Sequence, residues 1–183
     1  MRIEQCDPGV VDLVNRYVEI LTLPIDNLQL TTSRKVYGNW LGRTIPSKYG
    51  GAYCFLKREK KHAVLINLER IDTTQPRAVE IVVAEELVHM RDHLDGDLRR
   101  HSHHGYDRIA NKVNLLTGAS FEEIRGVLIP VKRRPPHLVY QCPKCAMKVA
   151  RRRRGTWSCS RCSSTYDPRF LMYLVEEMPC QQR

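Results

Sequence analysis

Four cysteines near the C-terminus fall into two Cys-x-x-Cys pairs, Cys142-Pro143-Lys144-Cys145 and Cys159-Ser160-Arg161-Cys162, with 13 residues between them. Two thiolates three positions apart can turn onto one ion, and a second pair at this distance completes the tetrahedral set of a structural zinc ribbon. The 49 residues from Pro135 to Arg183 hold few large hydrophobes, so metal binding and folding of this segment are expected to be linked. Cys6, Cys54 and Cys180 stand outside the pairs and read as ordinary thiols.

Redox context agrees with thiolates over disulfides. The opening Met1 to Leu13 carries acidic residues where a secretory or transit segment would be basic and apolar. No apolar run reaches the roughly 20 residues needed to cross a bilayer. An intracellular location is expected, cytoplasmic or at a nucleoid or nucleus, with no membrane partner. At 183 residues the chain has room for one ordinary domain and a small appendage, which excludes a large multidomain enzyme.

The formal charge of +10 is uneven. Residues 1–134 hold 21 basic and 17 acidic residues, whereas 135–183 hold 9 and 3. Four thiolates around one zinc ion contribute −2, which leaves the tail an excess of about +4. A basic tail favours a polyanionic partner such as nucleic acid, DNA before RNA, although a solvated basic face gives the same count.

Asp7-Pro8 followed by Val10, Val14, Tyr17, Val18 and Leu21 predicts a capped amphipathic helix over 8–22. Ala52 to Lys57 and His62 to Leu68 predict a hairpin across the charged Arg58 to Lys61, with a further strand near Gln29 to Ser33. A largely buried helix is expected from Pro76 to about Leu94. A polar loop, Asp95 to His103, then leads to a helix that carries Tyr106, Ile109, Val113 and Leu116 and stops at Thr117-Gly118. Ser120 to Glu123 spells a capping box for another short helix. Lys132-Arg133-Arg134-Pro135-Pro136 reads as a stiff linker, which divides the chain into residues 1–134 and 135–183.

Within the buried helix, Glu85-Glu86-Leu87-Val88-His89 sets Glu85 and His89 one turn apart on one face, a pair able to grip one metal ion. Zinc peptidases place His-Glu-x-x-His in this way, with the glutamate as general base. Here a glutamate stands in the first position. The region resembles the SprT/Spartan-like metalloproteases, whose pattern is a helical His-Glu-x-x-His, a polar loop and then His-Gly opening the next helix. His104-Gly105-Tyr106 fits that third element, Ser33 to Gly38 resembles the stretch before the family's short sheet, and the cysteine pairs match its zinc-ribbon tail. The resemblance covers roughly residues 30 to 170.

This resemblance implies an α+β zincin-like domain, helices packed on a small antiparallel sheet, followed by a β-rich four-cysteine zinc ribbon. It implies peptide hydrolysis near nucleic acid, with Glu86 as general base and a second zinc on Glu85, His89 and His104. A glutamate reaches about as far as a histidine, and a His2Glu set occurs in active zinc hydrolases. It also donates charge, which weakens the ion as a Lewis acid. Two other readings stay open. His93, four residues past His89, permits an all-histidine set of His89, His93 and His104 in which Met90 follows the first histidine and no base is present. Alternatively Glu85 and Glu86 are ordinary helix-surface acids and no metal is held there. The competing function is a non-catalytic relative, its chemistry retired by Glu85, that serves as an adaptor for nucleic acid or protein.

Between the cysteine pairs lie Lys148, Arg151, Arg152, Arg153, Arg154 and Trp157, read as a β-hairpin with a basic tip and an aromatic flank. Such a tip suits phosphates and an unpaired base. The other reading packs Trp157 over the metal site. The tail from Pro168 to Met178 is apolar enough to pack as a strand or helix.

Overall fold

The computed structural model describes residues 1–97, 108–130 and 136–177, in two compact units, Met1–Pro130 and Val131–Arg183. The His104-Gly105-Tyr106 element, the histidines 101 and 103, most of the linker and Cys180 lie outside the described residues.

In the first unit β1 (Arg2–Ile3) leads to α1 (Pro8–Ile20). The side chain of Asp7 accepts from the backbone N–H groups of Gly9 and Val10, and Pro8 occupies the first turn, so the helix starts where its cap dictates. It buries Val10, Val14, Tyr17 and Val18. β2 (Leu28–Thr31), β3 (Gly51–Leu56) and β4 (Lys61–Ile66) complete a four-stranded sheet in the order β1-β2-β4-β3. β3 and β4 pair antiparallel as the expected hairpin, from Gly51 opposite Ile66 to Leu56 opposite Lys61.

The sheet is mixed, which corrects the expectation of an antiparallel one: β1 with β2 and β2 with β4 are parallel. Parallel neighbours need a long crossover, and α1 supplies one. The other contains α2 (Arg34–Leu41) and β3. Ser33 caps α2 by accepting from the Val36 amide, and Gly42 closes it at φ 65°.

Residues alternate across the sheet. Leu28, Leu30, Val64 and Ile66 face the main core with α1 and α3, whereas Ala63 and Leu65 meet Tyr37 and Ile45 on the α2 side. α3 (Ala78–Leu94) begins two residues past Pro76, which lies in the preceding turn. It buries Ile81, Val82, Val83, Ala84, Leu87, Val88 and Met90, so its apolar run covers most of the helix and not one stripe. α4 (Arg108–Thr117) ends at Gly118, φ 67°, and α5 (Phe121–Gly126) starts at a complete capping box of Ser120 and Glu123. No helix among the described residues is long and apolar enough to cross a membrane.

The second unit is a three-stranded antiparallel sheet in the order β6-β5-β7, made of β5 (Leu138–Gln141), β6 (Lys148–Arg151) and β7 (Tyr173–Glu177). Its hairpin differs from the expected one. β6 pairs with β5 across the first cysteine turn, and Arg152 and Arg153 follow in a bend. The reason is that the β-rich Leu138 to Gln141 stands just before Cys142 and supplies the partner strand. The apolar tail pairs with β5 as β7, and Leu138, Tyr140, Cys142, Cys159 and Met172 form the core. The whole is an α+β chain with small sheets and a cysteine cluster compatible with a zinc site.

Candidate functional site

On α3, Glu85 is half-buried, Glu86 is 5% exposed and His89 is half-buried. Glu86 and His89 line one cavity of about 480 Å³, closed by Tyr37, the loop from Arg43 to Pro46, Tyr49 and the edge strand β3. The strand crosses close above the helix. A Cβ on Gly51 would stand 2.4 Å from Glu86 Oε1 and 2.8 Å from both Glu86 Cγ and Val82 Cγ1, so only glycine leaves the carboxyl room there.

Burial, then the neighbouring Glu85 charge, pushes the Glu86 carboxyl well above the usual carboxylate range, opposed by a hydrogen bond from the Tyr53 backbone N–H. A buried carboxyl tuned in this direction is suited to taking up and passing on a proton.

His93, one turn beyond His89, packs among aromatic rings: its ring centroid lies 4.6 Å from Phe55, 5.9 Å from Tyr53 and 5.8 Å from His62. His62 is buried and its Nδ1 is 2.9 Å from the Tyr53 hydroxyl. Burial first, and His93 second, lower its pKa. Sequence reading missed Gly51, Tyr53 and His62. Tyr53 and Phe55 share the α3 face of β3, and Phe55 sits opposite His62, but that pattern shows only once the register is known.

In the second unit Cys142 directly follows β5, Cys145 lies in the turn to β6, and Cys159 and Cys162 share a second turn. The left-handed Ala146, φ 54°, and the bond from the Ala146 amide to the Cys142 carbonyl wrap the first turn. The four sulfurs lie within 4.8 Å of one another, with Cys142 and Cys162 3.8 Å apart and Cys145 and Cys159 3.5 Å apart. A tetrahedron with Zn–S bonds of about 2.3 Å has edges of about 3.8 Å, so the four cysteines could hold a metal ion of this size. Backbone N–H donation, from Cys145 first, holds the Cys142 thiol down to about 7, whereas burial leads in pushing Cys162 up to about 12. Among the described residues this is the one such group of three or more ligand side chains.

The basic residues scatter around it. Lys148, Arg152 and Arg153 are exposed, and Arg154 pairs with Glu177 at 2.5 Å. The Arg151 guanidinium lies 4.6 Å from the Trp157 ring centre, and a Cβ on Gly155 would stand 3.1 Å from the same ring. Trp157 packs against the core around the cysteines. No protein-family model, curated protein or solved structure matches the chain.

Proposed function

We propose that the first unit is a SprT-like zinc metallopeptidase that acts on proteins at or near nucleic acid, with Glu86 as its general base. The observation that carries this reading is the pairing of Glu86, nearly sealed from water, with His89 in one cavity. Glu85, His89 and His104 fit a zinc ion by donor chemistry, one carboxylate oxygen and two imidazole nitrogens, and zinc there would supply the Lewis acidity for amide hydrolysis. A Glu86 carboxylate oxygen takes a proton from the attacking water and returns it to the departing amine nitrogen. β3 is the sheet edge that borders the cavity, so its outer backbone groups suit an extended peptide laid alongside. Zinc in the ribbon is structural in this reading, and Lys148, Arg152 and Arg153 contact phosphates.

A second reading is favoured by the Glu85 charge beside Glu86. It holds the proton on the base and retires the chemistry, leaving an adaptor that binds nucleic acid or protein through the ribbon. Metal analysis and cleavage of a protein substrate, with and without single-stranded DNA, test both. The peptidase reading expects two zinc ions per chain, cleavage by the wild type, and loss of cleavage in Glu86→Gln at unchanged metal content. An inert wild type that gains activity on Glu85→His supports the adaptor and sinks the peptidase. A salt-independent DNA affinity would remove the nucleic-acid part.

A further inference from the structure

A cavity of about 730 Å³, larger than the one beside Glu86, opens at the start of α2. Thr32, Ser33, Arg34 and Lys35 line one side, Gly42 to Ile45 a second, and Asn67 and Glu69 a third. Its charged side chains are three cations, Arg34, Lys35 and Arg43, and one carboxylate, Glu69, which sits 3.0 Å from Arg34. Lys35 and Arg43 are exposed, and neither is ion-paired among the described residues.

The walls are fixed to each other. A Cβ on Gly38 would stand 2.7 Å from the Arg43 carbonyl oxygen, and the Arg43 amide donates to the Gly38 carbonyl at 3.0 Å. The turn that carries Arg43 is therefore docked backbone to backbone on the helix that carries Arg34 and Lys35. Asn67, 1% exposed, braces the third wall, its side-chain amide donating to the Tyr49 carbonyl at 2.7 Å. The hydroxyls of Ser33 and Thr44 and the amide of Asn39 add donors to a cavity with one acidic side chain.

We propose that this cavity binds a phosphate ester. A carboxylate has two oxygens and one charge, too little to use the two unpaired cations, the Arg34 that Glu69 holds at the rim and the hydroxyls around them, whereas a phosphate presents more acceptors and more charge. The volume lies in the range of small-molecule sites, about 300 to 1,000 Å³, so it admits a nucleotide-sized group. This site depends on neither the peptidase reading nor the ribbon.

The chain has two tryptophans, Trp40 on α2 and Trp157 in the ribbon, so the full-length Trp157→Phe protein reports on the first unit through Trp40 emission. Inorganic phosphate, AMP and a short single-stranded DNA are the probes. Saturable binding of AMP is expected, weakened about tenfold or more by Lys35→Glu with Arg43→Glu. Glu69→Gln, which removes the one carboxylate and frees Arg34, should tighten binding several-fold, a change that a poorly folded variant would not produce. DNA tighter than AMP identifies nucleic-acid backbone as the source, and AMP equal or tighter identifies a free nucleotide. No saturation with AMP or phosphate, or an affinity indifferent to both charge changes, overturns the proposal.

Discussion

The distances at Gly51 make one residue answerable for the shape of the candidate base. An added Cβ would stand 2.4 Å from Glu86 Oε1 and 2.8 Å from Val82 Cγ1, and neither neighbour can yield cheaply because both are buried on the same helix. Gly51→Ala must push β3 off α3 or drive the carboxyl from its place, at a cost of about 1–3 kcal/mol in a denaturant titration. Two of the three close contacts belong to Glu86, so Glu86→Ala should absorb much of that cost, and the double variant should lose less than the sum of the singles. Additive losses would mean that β3 and Glu86 respond independently. The same closeness explains the proton affinity of Glu86, because a strand packed directly on a carboxyl leaves no space for the water that would stabilise its charge.

Asp92, 2% exposed on α3, governs how the next helix is seated. Its carboxylate meets Arg108 at 3.2 Å and Lys112, both on α4, while Arg108 also reaches Asp97. The two sides of this clamp are not equivalent, since Arg108 and Lys112 keep 25% and 43% of their side-chain surface in water whereas Asp92 keeps 3%. Asp92→Ala leaves Lys112 in reach of water and Arg108, whose terminal nitrogens are buried, still paired with Asp97, an expected loss of about 1–3 kcal/mol. Arg108→Ala with Lys112→Ala strands the carboxylate inside and should cost more, about 3–5 kcal/mol. Equal losses in thermal or urea unfolding would refute the asymmetry. Elements with local signals were readable from sequence: α1 from Asp7-Pro8, α5 from its capping box and the β3–β4 hairpin from two β-rich runs. α2 was not, because Arg34 to Leu41 contains Gly38 and its helix is held by the Ser33 cap and by Tyr37 packing on the sheet. The parallel β2–β4 pairing and the Tyr53, His62 and His93 cluster depend on register between distant segments, which local periodicity does not encode.

The two units of the molecule are held by different means. Met1–Pro130 has a continuous core built from α1, α3, α4 and both inner strands. Val131–Arg183 has Leu138, Tyr140 and Met172 beside Cys142 and Cys159, so two of the five core residues buried among its described residues belong to the cysteine cluster itself. The cysteine spacing was legible from sequence because four ligands on one ion leave few other arrangements, while the strand partner of Lys148 to Arg151 was not, since the competing hairpin had the same local signals. Without an ion, the four sulfurs have no common partner and little apolar area remains to offset the chain entropy of so short a segment. Structural zinc in small cysteine modules supplies about 10–16 kcal/mol of apparent binding free energy, more than such a core can replace. A strong chelator should therefore release amide protection at Tyr140 and Gln141 on β5 while Val64 and Leu65 on β4 stay protected, as read by hydrogen exchange on the full chain. Cys159→Ser should imitate the chelator without added reagent. Retained protection on β5 in the metal-free chain would show that the apolar residues alone suffice, and simultaneous loss on β4 would show that the first unit also depends on the ion.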